Sequence, residues 1–245
     1  MSERVALVTG GSRGIGRAIC RALATRGDAV AVNHRSGVEQ AKETLALIES
    51  MGGEGMVVEA DVTRSAAVDG MFAEVEDALG PVTIVVNNAG IRRDGLAMRM
   101  SDADWQEVIS TNLFGAFACS RRALRTMLRA GFGRIVNVAS VAGLQGSPGQ
   151  ANYCAAKAGL IGLTKSLARE VARKNITVNS VAPGLVATEL TTSLPEARWA
   201  ELVHAIPAGR AGTPEEIGDL VAFLCSEQAA YITGGVFVAD GGMTA

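Results

Sequence analysis

Short runs of β-branched and aliphatic residues recur along the chain at 5–9, 29–33, 56–60, 83–87, 134–140, 176–181 and 236–239. Several are almost unbroken in Val, Ile, Leu and Ala and lack the alternation of a strand with one wet face. Strands buried on both sides have this pattern, as in a parallel sheet covered by helices. Between the first two runs, Ile15, Ile19 and Leu23 recur at i, i+4 and i+8. They make one apolar face of a helix over 14–26, and Gly27 supplies its stop. Ser101-Asp102-Ala103-Asp104 and Thr213-Pro214-Glu215-Glu216 each set a capping residue three positions before an acid. The second adds proline at the first helical position. Strand and helix patterns alternate to the end, without linker, repeat or charge block. The expectation is one α/β domain: a Rossmann-type, doubly wound parallel sheet of about seven strands with helices on both faces. The least regular stretch, about 188–210, has Pro195 and Pro207 around a helical piece and is expected to form a flap.

Composition narrows the picture. Hydrophobic residues are 48% of the 245, enough for one large core. Charged residues are 20% and the net charge is -2. That balance gives no general attraction for nucleic acid or anionic membranes, so a substrate must be recognised locally. No run of roughly 18 apolar residues predicts a membrane span. Met1 to Val5 leads into the first strand pattern without a signal-peptide signature, so the cytoplasm is the expected compartment. Cys20, Cys119, Cys154 and Cys225 lie far apart and read as reduced thiols. The two histidines, His34 and His204, join no cluster with metal-ligand spacing, so no metal is expected.

Thr9-Gly10-Gly11-Ser12-Arg13-Gly14-Ile15-Gly16 follows the first strand and opens the first helix. Glycines let the backbone approach a diphosphate, and a helix N-terminus presents amides and positive dipole to it. Gly10-Gly11-Ser12-Arg13-Gly14 also spells G-x-S-x-G, the nucleophile elbow of hydrolases. That reading needs an acid and then a histidine downstream. Only His204 is available, and the elbow would follow the first strand, so the nucleotide reading is preferred. The second strand ends Asn33-His34-Arg35-Ser36, with no acid between Ala29 and Gly37 to hold an adenosine ribose. Arg35, with Arg13 from the glycine loop, suits a 2′-phosphate instead. NADP(H) is therefore expected over NAD(H), with 1–245 as a single NADP(H)-binding catalytic domain. Asp61-Val62, after the third strand, could accept from the adenine amino group.

Tyr153 and Lys157 lie four residues apart in a helix-compatible run and would share a face. A free tyrosine has a pKa of about 10, and an ammonium one turn away lowers it. Ser140, at the end of a strand run, could reach the same place and hydrogen-bond a carbonyl oxygen.

These residues together resemble the short-chain dehydrogenase/reductase family over the whole chain. The likeness rests on Thr9-Gly10, Gly14-Ile15-Gly16, Asn87-Asn88-Ala89-Gly90, Ser140 with Tyr153 and Lys157, and Pro183-Gly184. It implies that Tyr153 is the general acid, that Lys157 lowers its pKa and binds the nicotinamide ribose, and that Ser140 orients the carbonyl. It implies that Asn112 holds a water for proton relay. Asn88, Ala89 and Gly90 would lie along the cofactor, and Pro183, Gly184, Val186 and Thr188 would border the nicotinamide and diphosphate. Further strings are similar to bacterial β-ketoacyl-acyl-carrier-protein reductases: Arg93-Asp94, Met98-Arg99-Met100, Gly149-Gln150-Ala151-Asn152 and Tyr231-Ile232-Thr233-Gly234. That likeness implies NADPH-dependent reduction of a β-ketoacyl thioester, a homotetramer, and a basic dock for an acidic carrier protein beside the active site, with Arg129, Arg173 and Lys174 as candidates. Arg92, Gly95, Gly131 and Asp240 depart from the usual pattern. Reduction of another ketone uses the same machinery and is the alternative. A non-enzymatic cofactor sensor is disfavoured, because Ser140, Tyr153, Lys157 and Asn112 are all kept.

Overall fold

The computed structural model describes residues 4–192 and 196–245. Residues 193–195 of the expected flap, Pro195 among them, lie outside the described residues. The chain runs β1 (Val5–Val8), α1 (Gly14–Thr25), β2 (Ala29–His34), α2 (Val38–Ser50), β3 (Gly55–Glu59), α3 (Ser65–Leu79) and β4 (Val82–Asn87). It continues through α4 (Asp102–Ile109), α5 (Gly115–Ala130), β5 (Gly133–Val138), α6 (Ala142–Gln145), α7 (Ala151–Val171) and β6 (Ile176–Pro183). It closes with α8 (Glu189–Thr192), α9 (Glu196–His204), α10 (Pro214–Leu224) and β7 (Val236–Ala239).

The seven strands form one parallel sheet in the order β3-β2-β1-β4-β5-β6-β7. β1 sits at the reversal of strand order, pairing Val8 with Val32 on one side and with Val86 on the other. Ligands of open parallel sheets bind at this reversal, beyond the carboxyl ends of the strands. Alternate residues of β1 feed two separate cores. Val5 and Leu7 pack with Phe72, Met127 and Val171 on one face. Ala6 and Val8 pack with Ile19, Leu23 and Val221 on the other. Hence the central strands read as unbroken apolar runs.

The helix signals act as expected. The Ser101 hydroxyl accepts from the Asp104 amide at 3.1 Å. Thr213 and Glu216 form a reciprocal capping box, with Thr213 N–H donating to the Glu216 carboxylate at 2.8 Å. Two strand ends differ from expectation by two residues, and the others agree to within one. β5 stops at Val138, where the Ala139 amide turns to the carbonyls of Asn137 and Val181, and β6 runs on to Pro183. Ser140 is thereby released from the sheet. Between α4 and α5 a π-helical turn spans Ser110–Phe114. Among the described residues, no helix is long and apolar enough to cross a membrane.

Candidate active site

The glycine loop is built for close approach. Gly10 has φ +63°, and a Cβ there would lie 3.1 Å from the Ala89 Cα. A Cβ on Gly16 would collide with the Gly10 carbonyl oxygen. The loop's carbonyls are tied back into the protein. The Asn88 amide nitrogen donates to the Thr9 and Gly10 carbonyls at 3.0 Å each. The Thr9 hydroxyl receives the backbone amides of Asn88 and Ala89 at 3.0 Å. The Ser12 carbonyl accepts from Arg17 (Nε 3.2 Å, Nη2 2.9 Å) and from the Thr44 hydroxyl (3.1 Å). The N-terminus of α1 has no side-chain cap and no acid in its first turn. Its amides therefore face outward beside glycine, a cradle suited to a diphosphate. Thr188 stands across the loop, its Cγ2 3.4 Å from where a Gly14 Cβ would be.

At the adenosine end, Arg13 and Arg35 are both exposed. Neither makes a hydrogen bond or ion pair with a described residue. Asn33, where an acid would otherwise be sought, is engaged by the sheet: its Nδ2 donates to the carbonyls of His34, Val58 and Ala60. Asp61 accepts from the Thr63 amide at 2.9 Å and hydroxyl at 2.7 Å, both through Oδ1. Partial burial pushes its carboxyl up, but the Thr63 bonds, Arg35 and Arg64 outweigh that and hold it below the usual range. Val62 is buried in one core and Ile15 packs against the other.

Ser140, Tyr153, Lys157 and Asn112 converge at the carboxyl end of β5. The Ser140 side chain lies near enough to the Tyr153 phenol to favour its ionised form. The Lys157 ammonium lies 5.5 Å from the Tyr153 ring centroid and donates to the Val138 carbonyl at 2.7 Å. A Cβ on Gly90 would be 3.6 Å from Lys157 Nζ and 3.4 Å from Asn112 Oδ1, so these three residues touch one small volume. Burial lowers Lys157 to about 8. Burial also raises Tyr153, against the Ser140 side chain and the charge of Arg92, which lower it. In the chain alone burial outweighs any lowering of Tyr153, while the Lys157 ammonium donates to the Val138 carbonyl. The Asn112 side chain is held at both ends: Oδ1 accepts from the Ile91 amide at 2.8 Å and Nδ2 donates to the Ile91 carbonyl at 3.0 Å.

Other expected residues have other placements. Gly184 packs on Asp240, where a Cβ would approach the Asp240 Cβ to 2.7 Å. Asp240 accepts from the Gly242 amide, the Thr244 amide and the Thr244 hydroxyl, which explains an acceptor-only carboxylate in place of an amide. Gly131 caps α5 at φ +67°, a left-handed position where a basic side chain would be strained. Arg129, Arg173 and Lys174 are exposed and gather around one contact, Asn175 Nδ2 to the Gly131 carbonyl at 3.3 Å. They are not beside Tyr153. They stand just before β5 and β6, at the start of the sheet. Arg173 and Tyr153 lie at opposite ends of α7, whose 21 residues span about 30 Å.

The structure adds positioning residues that the sequence left silent. Asn87 donates to Ser120 at 3.0 Å and to Asn137 at 2.8 Å, and Asn137 donates to Thr164 at 2.8 Å. This buried network links β4 and β5 to α5 and α7, directly beneath the converging residues. Polar residues inside otherwise apolar strands were its one visible signal.

Comparison with known proteins agrees with this geometry. A family model described as enoyl-(acyl carrier protein) reductase matches residues 10–244. The chain is 46% identical to a 3-oxoacyl-[acyl-carrier-protein] reductase of Synechocystis sp., over 99% of this chain and 98% of that protein. It is 46% identical to the corresponding reductase of Escherichia coli, over 98% and 97%. The Staphylococcus aureus reductase also shares 46% identity, over 97% of each chain. With the glycine loop, the parallel sheet and the Ser140–Tyr153–Lys157 grouping in place, the chain belongs to the short-chain dehydrogenase/reductase family.

Proposed function

We propose that the chain is an NADPH-dependent reductase of β-ketoacyl thioesters, giving the β-hydroxyacyl thioester. The observation that carries this is the Ser140–Tyr153–Lys157 grouping set beside an uncapped helix N-terminus. The substrate class follows from the relatives, which are 3-oxoacyl-[acyl-carrier-protein] reductases along nearly their whole length.

The α1 amides hold the diphosphate, and Arg13 and Arg35 take the 2′-phosphate through guanidinium forks. Asp61 retains Oδ2 for the adenine amino group. Asn88, Ala89 and Gly90, with Pro183, Val186 and Thr188, would border the nicotinamide end and the diphosphate. The bound cofactor supplies the hydride to the keto carbon. Ser140 and Tyr153 hold the keto oxygen, and Tyr153 gives it a proton as charge develops there. Lys157 turns from Val138 to the ribose hydroxyls and stabilises the tyrosinate left behind. With the Asn112 side chain committed to Ile91, the water it holds for proton relay meets its main-chain carbonyl. The π turn favours this, because the i→i+5 pattern displaces carbonyls from their α-helical partners.

The segment 188–210 serves as the flap over the acyl chain. Arg129, Arg173 and Lys174 dock the acidic carrier from one subunit of a homotetramer onto the active site of another, since about 30 Å separates them from Tyr153 along α7. Phe114, Phe117, Trp105 and Leu128, all exposed on α4, α5 and the turn between them, support such an assembly. The cytoplasm suits an enzyme with four free cysteines.

The test is NADPH oxidation at 340 nm with acetoacetyl thioesters on carrier protein and on CoA, with NADH in parallel. Rapid turnover with NADPH is expected, and Arg35→Asp should move the preference toward NADH by tenfold or more, roughly the worth of one charged hydrogen bond. NADPH binding without turnover of any thioester would move the substrate to another ketone.

A further inference from the structure

The loop after Gly90 is fixed from both sides. Ile91 is clamped by Asn112, as above. The Arg93 carbonyl accepts from Asn152 Nδ2 at 3.0 Å, next to Tyr153, and its guanidinium holds Glu107 at 2.8 and 3.0 Å. Asp94 accepts from Gln150 Nε2 at 3.0 Å, and the Gly95 amide donates to the Gly149 carbonyl at 2.8 Å. One side chain in this loop is left over. Arg92 is half-buried, and its guanidinium makes no hydrogen bond or ion pair with any described residue. It is close enough to the Tyr153 hydroxyl to act on it electrostatically. A guanidinium that has lost part of its water and gained no partner is poorly placed until something else completes it.

We propose that Arg92 is a specificity-determining residue that hydrogen-bonds the thioester carbonyl oxygen of a β-ketoacyl substrate whose keto oxygen rests on Ser140 and Tyr153. This rests on the β-ketoacyl thioester reading of the site. A 1,3-dicarbonyl carries two oxygens, and the Ser140–Tyr153 pair serves only one. The backbone on either side of Arg92 is anchored to Asn112 and to Asn152, the neighbour of Tyr153, so Arg92 borders the same site with several donors to offer. A simple ketone has no second oxygen for it. Arg92 thus makes the site favour 1,3-dicarbonyls over monoketones, because a partly desolvated donor left unmatched rejects the analogue that lacks the acceptor.

The experiment compares kcat/KM for acetoacetyl-CoA, ethyl acetoacetate and a cyclic monoketone in the wild-type enzyme, Arg92→Gln and Arg92→Lys, with thermal midpoints to verify folding. In Arg92→Gln the preference for both dicarbonyls over the monoketone should fall roughly 10- to 100-fold, and Arg92→Lys should recover part of it. An unchanged preference overturns the assignment. So does an equal loss on all three substrates, which would mean Arg92 acts through Tyr153 or the loop. A loss on acetoacetyl-CoA alone would place Arg92 on the CoA phosphates and overturns it too. A wild-type enzyme that turns over neither dicarbonyl while reducing the monoketone would overturn the thioester reading and this proposal together, an outcome separate from a normal wild-type rate with an unmoved preference.

Discussion

At the scale of single residues, the site is a set of groups whose protonation is biased by burial. Lys157 is lowered from 10.5 to about 8, so the free enzyme loses the ammonium as pH rises through that value. With the charge goes the group proposed to hold the ribose hydroxyls. kcat/KM for NADPH, which reports the free enzyme, should be level below pH 8 and fall toward tenfold per unit above it. Lys157→Arg should abolish that limb, and a limb that survives would assign it to another group. The same residue affects stability with the opposite sign. Its charged form is disfavoured in the fold, so its contribution improves between about 8 and 10.5. The buried thiols of Cys20, Cys119 and Cys225 run the other way. Burial raises all three above their ordinary 9.0, so the unfolded chain gives up their protons first and stability is lost as pH climbs past that value. Three thiols against one ammonium should make the thermal midpoint decline above pH 9. Tyr153→Phe should keep NADPH binding and lose reduction; surviving turnover would remove Tyr153 as the acid.

At the scale of elements, the buried Asn87–Asn137–Thr164 chain holds the ends of β4 and β5 and the middle of α7 in register. Those elements carry Gly90, Val138, Ser140, Tyr153 and Lys157. Asn137→Ala strands two buried partners and should cost about 2–4 kcal/mol in urea unfolding. It should lower kcat as well, because the Lys157 acceptor and Ser140 both follow Asn137. Thr164→Val removes one link and should cost about half as much. An apolar replacement that costs nothing would make the network ornamental. The same elements show how much was legible beforehand. The central strands could be read because burial on both faces strips out their alternation. The caps at Ser101 and Thr213 could be read because the bond they make spans three residues. Tyr153 and Lys157 share a helix face for the same local reason. The bonds of Asn33 to Val58 and Ala60, of Arg17 to Thr44 and of Asn87 to Ser120 could not be read this way: these partners lie 25 or more residues away, and a polar residue does not announce a distant mate. The position of Arg129, Arg173 and Lys174 was within reach of topology. Residues that end a helix and precede a parallel strand lie at the strand's start, opposite the end where ligands bind.

At the scale of the molecule, that separation makes the proposed reaction a property of the assembly. If one subunit holds the carrier and another reduces its cargo, two defective copies should repair each other. A chain with Tyr153→Phe and an intact dock, mixed and reassembled with a chain carrying Arg129→Ala, Arg173→Ala and Lys174→Ala, should regain carrier-linked activity beyond the sum of the two alone. Mass photometry of the mixture checks that mixed tetramers form. Mixed tetramers without recovered activity would confine the dock to its own subunit or remove it altogether.

The segment proposed as a flap is stitched to the body of the protein at its base, and it is tied again where the Ala208 amide donates to the Gly241 carbonyl at 3.0 Å. Val186 and Gly212 pair in a parallel bridge, the Ala187 amide donates to the Gly212 carbonyl, and the Gly212 amide donates to the Leu185 carbonyl, each at 2.9 Å. The chain thus departs and returns at this base, leaving the sheet and the catalytic grouping outside the excursion. Doubling the length of such an excursion adds only about 0.6 kcal/mol of closure entropy. If the segment covers the acyl chain as proposed, exchanging it as a cassette should change which acyl chains are admitted while the proton-handling chemistry beneath is inherited intact.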